Sequence, residues 1–249
     1  MKFIGIIPAR YASTRFPGKP LALIGGTTMI ERVYRQASKA LDDVLVATDD
    51  TRIFDAVRAF SGNVVMTSAE HRSGTDRCYE AYLRYGKQAD VVINIQGDEP
   101  FVRPEQIEAI KACFPAQIAT LVKPFTETDT LDDLLNPNTP KVVFSSQSGN
   151  ALWFSRSVIP YFRGVPQCDW LRNHTFYKHL GMYAYRTDIL AQITRLPQSP
   201  LEKAESLEQL RWLENGYQIK VAVTGIQSIG IDTPADLIRA EQFLRTHNI

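Results

Sequence analysis

Residues 3–21, FIGIIPARYASTRFPGKPL, decide the fold. Phe3-Ile4-Gly5-Ile6-Ile7 is a continuous apolar run, the character of a strand buried on both faces in a parallel sheet. Ligands of open α/β sheets sit where such strands end. Here the chain places Arg10, Arg15 and Lys19 on one loop directly after the strand. Pro17 fixes one backbone angle and Gly18 permits positive φ, so the loop can turn sharply and offer N–H groups to an anion. Ala9, Ser13 and Gly18 keep side chains small where a ligand would approach. Arginine adds forked donors and lysine a compact charge. The loop reads as a polyphosphate seat, against the alternative of a solvated basic loop.

The usual phosphate fingerprints are missing. No GxGxxG follows the first strand and no GxxxxGK[ST] occurs anywhere in the chain, so neither a dinucleotide-binding turn nor a Walker-type loop is supported.

A chain of 249 residues, 44% hydrophobic and 22% charged, can bury a sizeable core. Its formal net charge of +1 makes no basic field, so nucleic acid is not expected as a partner and any working cation acts locally. Cys78, Cys113 and Cys168 are far apart and never form CxxC, which argues for a reducing compartment and against a zinc site. Pro8 and Arg10 cut the opening apolar run short, and no window approaches 18 apolar residues. Neither a signal peptide nor a membrane span is expected, and the protein reads as cytoplasmic.

Apolar runs alternate with helical patterns in βαβ fashion. The expected strands are Lys2–Pro8, Val44–Thr48, Asn63–Met66, Val91–Ile95 and Gln117–Val122. Between them lie expected helices at Met29–Ala40, Arg52–Phe60, Thr75–Tyr85 and Pro104–Phe114. From about 123 to 193 the rhythm changes to strand-like Val142–Ser146, Ala151–Ser155 and Lys178–Tyr185 around a turn-rich Pro160–Asn173. Helix Leu201–Asn215, strand Ile219–Val223 and helix Pro234–Thr246 restore the α/β pattern. The expectation is one α/β domain over 1–249, a Rossmann-like, mostly parallel sheet flanked by helices, with a β-rich insertion at about 123–193.

Three further strings open onto strand ends. HRSGTDR, residues 71–77, starts a helix that Ser73 or Thr75 could cap, with a terminus suited to an anion. NIQGDEP, residues 94–100, carries the clearest carboxylate, Asp98, behind a glycine that lets the backbone come close to a ligand. Magnesium prefers such oxygens and often takes only one or two protein ligands. Asp232, in GIDTP, is a second acid in a comparable setting, and spacing alone does not separate a metal ligand from a cap of the last helix.

Together IPARYASTRFPGKPL, HRSGTDR, NIQGDEP, FSR at 154–156, YKHLGMYAY at 177–185, SLEQLR at 206–211 and GIDTPADL at 230–237 resemble the 3-deoxy-manno-octulosonate cytidylyltransferase (CMP-Kdo synthetase) family, in order and over nearly the whole chain. Sialic acid cytidylyltransferases have a glycine-rich stretch in place of Ser13-Thr14-Arg15, so the resemblance favours Kdo, the eight-carbon acid. It implies a nucleotidyltransferase fold and transfer of CMP from CTP to the anomeric hydroxyl of Kdo, with release of pyrophosphate, for lipopolysaccharide synthesis.

The resemblance also implies roles. Pro8, Ala9, Arg10, Lys19, Ser73, Gly74, Arg77, Gln96 and Asp98 would bind the nucleotide, with Arg10 and Lys19 neutralising its phosphates. Asp98 and Asp232 would hold magnesium between the α-phosphate and the sugar, with a second magnesium on the triphosphate. Arg156 would meet the sugar carboxylate, while His179, Tyr183, Glu208 and Gln209 would read its hydroxyls. A homodimer built through the insertion is the family's implied assembly.

Overall fold

The computed structural model describes residues 1–12, 16–226 and 230–247. Arg15, with Ser13 and Thr14, lies outside the described residues. The chain divides into two compact units, Met1–Glu108 with Gln227–Ile249, and Ala109–Ile226.

The first unit alternates strands and helices as its sequence implies: β1 (Phe3–Ala9), β2 (Leu23–Ile24), β3 (Thr27–Thr28), α1 (Met29–Ala37), β4 (Asp43–Thr48), α2 (Thr51–Ala59), β5 (Val64–Met66), α3 (Gly74–Tyr85) and β6 (Val91–Asn94). The long strands order as β6-β1-β4-β5, and every pairing among them is parallel. Central β1 buries Ile4, Ile6 and Ile7 almost completely. That burial is why the strand is apolar throughout rather than alternating. In α1 the buried residues Met29, Ile30, Val33 and Ala37 recur at helical spacing, and the Thr28 side chain accepts from the Glu31 N–H at its start.

Helix α4 (Pro104–Lys111) leads into the second unit, which holds β7 (Ile118–Pro124), α5 (Leu131–Leu135), β8 (Lys141–Phe144), β9 (Ala151–Ser155), α6 (Trp170–Asn173), β10 (Tyr177–Arg186), α7 (Thr187–Ile193), α8 (Pro200–Glu205), α9 (Glu208–Glu214) and β11 (Ile219–Val223). Here β7 is flanked by β11, parallel to it, and β10, antiparallel to it. Strand β8 pairs antiparallel with β10 and β9. Phe125, Leu134, Trp170 and Phe176 form a core cluster in this unit. The last helix, α10 (Pro234–His247), returns to the first unit. Its Ala240 and Leu244 pack with Ile24, Met29 and Phe101.

Several expected elements differ. The stretch 123–193 contains β8, β9 and β10 but also α5, α6 and α7. A reciprocal pair of bonds between Thr130 and Asp133 starts α5. Expected helix Leu201–Asn215 is two helices, broken where Ser206 takes a left-handed φ of 50°. Helix α4 stops at Lys111 rather than Phe114, because Pro115 disfavours helical backbone at the residue before it.

Candidate active site

The first unit gathers its chemistry at the end of β1. The loop turns where expected: Gly18 has φ 71°, and its N–H donates to the Tyr11 carbonyl at 2.9 Å. The Arg52 guanidinium carbon lies over the Tyr11 ring, 3.3 Å from its centroid. Arg10 leaves the strand and donates to the His71 carbonyl. Partial desolvation, then neighbouring Arg77, pull the Arg10 guanidinium below its ordinary pKa against Asp49 and Asp76. Pro8 is half-buried and Ala9 is buried at the strand end.

Lys19 opens a single 3-10 turn beyond Gly18, and its ammonium joins two acids distant in sequence. Nζ lies 2.7 Å from Asp98 Oδ2 and 3.3 Å from Asp232 Oδ1. A main-chain bond ties the two acidic segments together, Ile231 N–H donating to the Asp98 carbonyl at 2.9 Å. The room left by Gly97 is taken by β1, since a Cβ there would stand 2.9 Å from the Pro8 carbonyl oxygen. The close approach foreseen at this glycine is therefore to backbone of the same unit.

Beside Asp232, other groups close the start of the last helix. Thr233 starts α10: its Oγ1 accepts from Asp236 N–H at 3.4 Å, and Asp236 Oδ2 accepts in return from Thr233 N–H at 2.8 Å. Burial works against charge on Asp236, yet bonds from Arg239, the Asp232 N–H and Thr233 hold its pKa down to about 2. With the cap supplied by Thr233 and Asp236, the Asp232 carboxylate faces Lys19. Two carboxylates meeting on one cation fit a hard divalent ion with few protein ligands. No group of three or more His, Cys, Asp or Glu suited to a metal occurs among the described residues.

Ser73, not Thr75, caps α3, accepting from Asp76 N–H at 3.1 Å. Gly74 opens that helix beside Pro8 and Asn94. Arg77 is wholly buried, donating to Thr67 Oγ1 at 2.6 Å and Asp49 Oδ2 at 2.7 Å. It is a cation beneath Arg10 rather than an exposed one. Gln96 sits on the turn after β6, its carbonyl accepting from Glu99 N–H at 3.3 Å. Asn94, the last residue of β6 and the first of NIQGDEP, is buried with Oδ1 unpartnered.

In the second unit Arg156 is a clamp. Its guanidinium donates to the carbonyls of Glu205, Pro137 and Ser206, and its N–H donates to Glu205 Oε2. The break at Ser206 turns two of those carbonyls toward it. Five guanidinium N–H groups are available, so two remain for a ligand.

His179 and Tyr183 stand together on β10, ring centroids 5.1 Å apart. Thr120 Oγ1 donates to the Met182 carbonyl at 2.9 Å and lies 3.0 Å from His179 Nε2. With its one proton committed, Thr120 accepts from His179, which places the ring proton on Nε2 and leaves Nδ1 an acceptor. Desolvation of the half-buried His179 ring lowers its pKa to about 3, so the ring is neutral. Burial, with Glu208 nearby, raises the Tyr183 phenol well above its usual value, Thr120 opposing the rise. No bond of good geometry reaches the Tyr183 hydroxyl or Gln209 Nε2, both buried. Glu208 and Gln209 begin α9.

A fold of this kind, with a basic loop after β1 and two carboxylates meeting on Lys19, is that of a nucleotidyltransferase. Residues 4–220 match the family model described as cytidylyltransferase, and the chain belongs to that family. It is 65% identical over 248 residues, 98% of each chain, to 3-deoxy-manno-octulosonate cytidylyltransferase of Phocaeicola vulgatus. It is 62% identical to the protein of that name from Bacteroides thetaiotaomicron, with 100% of both chains covered. A solved structure of CMP:2-keto-3-deoxy-manno-octonic acid synthetase complexed with CTP matches with TM-score 0.89 and 40% identity over 99% of both chains. The 4-diphosphocytidyl-2C-methyl-D-erythritol synthase of Anaerococcus prevotii, at 16% identity and TM-score 0.59, covering 98% of this chain and 96% of its own, shares the fold.

Proposed function

We infer that this protein transfers CMP from CTP to the anomeric hydroxyl of Kdo, releasing pyrophosphate and forming CMP-Kdo for lipopolysaccharide synthesis. The observation that carries the reading is the meeting of Asp98 and Asp232 on Lys19 beside the β1 loop, in a chain 65% identical to a protein of that named activity. Arg10 and Lys19 neutralise the triphosphate and stabilise the departing pyrophosphate. Pro8, Ala9, Ser73, Gly74 and Gln96 line the nucleotide, and buried Arg77 backs Arg10. Asp98 and Asp232 would hold magnesium, which would supply Lewis-acid polarisation of the phosphorus and a lowered pKa for the attacking hydroxyl. Lys19 keeps the two carboxylates close together until then.

Arg156 turns its two remaining donors to the sugar carboxylate. His179 Nδ1, Tyr183, Glu208 and Gln209 read the hydroxyls. His179, at a pKa of about 3, offers an acceptor and not a base of neutral-pH strength. We place the enzyme in the cytoplasm as a homodimer. The family resemblance supports the assembly. The scattered free cysteines support the compartment, and among the described residues no helix is long and apolar enough to cross a membrane.

Pyrophosphate release tests the reading. With magnesium, CTP should yield pyrophosphate only when Kdo is added, and hardly at all with N-acetylneuraminate or with ATP, GTP or UTP. Release with N-acetylneuraminate exceeding that with Kdo would overturn the substrate.

A further inference from the structure

Trp212 is buried to 1% exposure, and its indole Nε1 has no hydrogen-bond partner. It does not stand alone. Gln209 Nε2 is also buried and unpartnered, and Tyr183 Oη is buried beside Thr120 with no bond of good geometry. The Tyr183 and Trp212 rings meet edge to face with centroids 5.0 Å apart. Trp212 follows Glu208 by four positions and Gln209 by three on α9, so the three residues share one face of that helix. Native interiors pair nearly all buried donors, and each exception calls for a cause. Three orphaned donors on one helix and the strand facing it share a single cause most simply: an oxygen-rich group completes them when it binds.

We propose that Trp212 is a specificity-determining residue of this enzyme, its indole N–H donating to a hydroxyl oxygen of the sugar acid alongside Tyr183 and Gln209. The proposal rests on the Kdo reading given above. Its rivals are a resident water on the same three donors and an N–H turned into the face of the Tyr183 or Tyr185 ring, either of which leaves Trp212 indifferent to the sugar. A site built to hydrogen-bond a hydroxyl discriminates strongly against an analogue lacking it, because the buried group is then left unpaired.

Two measurements test this. In Trp212→Phe, which removes the N–H and keeps an aromatic ring, kcat/KM for Kdo should fall about tenfold while KM for CTP holds, the scale of one lost hydrogen bond. Against a panel of singly deoxygenated Kdo analogues, the variant should lose the discrimination that the unmodified enzyme shows at one hydroxyl. Should the variant fold poorly, the unmodified protein answers through its 15N-indole spectrum. There the Trp212 resonance, assigned by elimination with Trp153→Phe and Trp170→Phe, should shift on adding Kdo. A Trp212 resonance unmoved by saturating Kdo, or unchanged kcat/KM and discrimination in the variant, in an enzyme that releases pyrophosphate with Kdo, would overturn the proposal. Failure of the unmodified enzyme to respond to Kdo would instead overturn the substrate reading.

Discussion

His179 and Tyr183 are four residues apart on one strand, yet their ring centroids are separated by only 5.1 Å. A regular strand would set them about 13 Å apart at its rise of about 3.3 Å per residue. The difference comes from a register shift: Leu180 pairs with Leu121 on β7, while the next paired residue, Tyr183, meets Thr120. Extra residues on one strand bend it and re-aim side chains. The bulge thereby turns two positions into one polar cluster against Thr120.

The desolvation of His179 sets a pH dependence. Its pKa is about 3 in the folded protein against an ordinary 6.5. Between those values the unfolded chain binds the extra proton, so stability is complete above pH 6.5 and falls as pH drops toward 3, at up to about 1.4 kcal/mol per unit. Urea midpoints of His179→Gln and the unmodified protein should converge as pH falls from 7 to 4. Parallel curves would show that His179 is not held neutral.

On the proposed magnesium role, Asp98→Asn and Asp232→Asn should each lose about a thousandfold or more in turnover, since removing a ligand to a catalytic ion costs several kcal/mol of transition-state stabilisation. Thr233 and Asp236 exchange reciprocal bonds at the start of α10. Melting temperature should therefore stay near its original value in Asp232→Asn. Turnover near that of the unmodified enzyme at saturating magnesium would remove that acid from the metal site.

Arg156→Ala should weaken sugar binding by about 2 kcal/mol, the scale of losing a charge-assisted pair at a half-buried site, and leave CTP binding intact. It should also lower the melting temperature, since the guanidinium ties the carbonyls of Pro137, Glu205 and Ser206. Calorimetry with CTP and kinetics on Kdo separate these effects. Equal losses for both ligands would move Arg156 to the phosphates.

Gly97→Ala tests the seam between β1 and the Asp98 turn. Its Cβ would stand 2.9 Å from the Pro8 carbonyl oxygen, a contact with backbone that has little freedom to retreat. Overpacking of this kind costs about 1–3 kcal/mol, and displacement of Asp98 should lower turnover as well. A variant with unchanged stability and activity would show that the turn yields.

The sequence by itself determined the frame of the first unit. Local signals sufficed there: the apolar run of β1, the Pro17-Gly18 turn, the helical spacing of α1 and a capping serine at α3 each specify their own conformation within a few residues. Candidate acids at strand ends were legible for the same reason, since strands and their exits are short-range patterns. Tertiary structure alone decided the rest. Thr233 and Asp236 exchange bonds at the start of the last helix, and Lys19 meets Asp232 across 213 positions of sequence. Likewise the place of Trp212 beside Tyr183, with its indole Nε1 unpartnered, comes from packing alone. Register shifts, helix breaks and the fate of each buried donor depend on which distant groups arrive next to them, and those arrivals are set by packing rather than by neighbours in the chain.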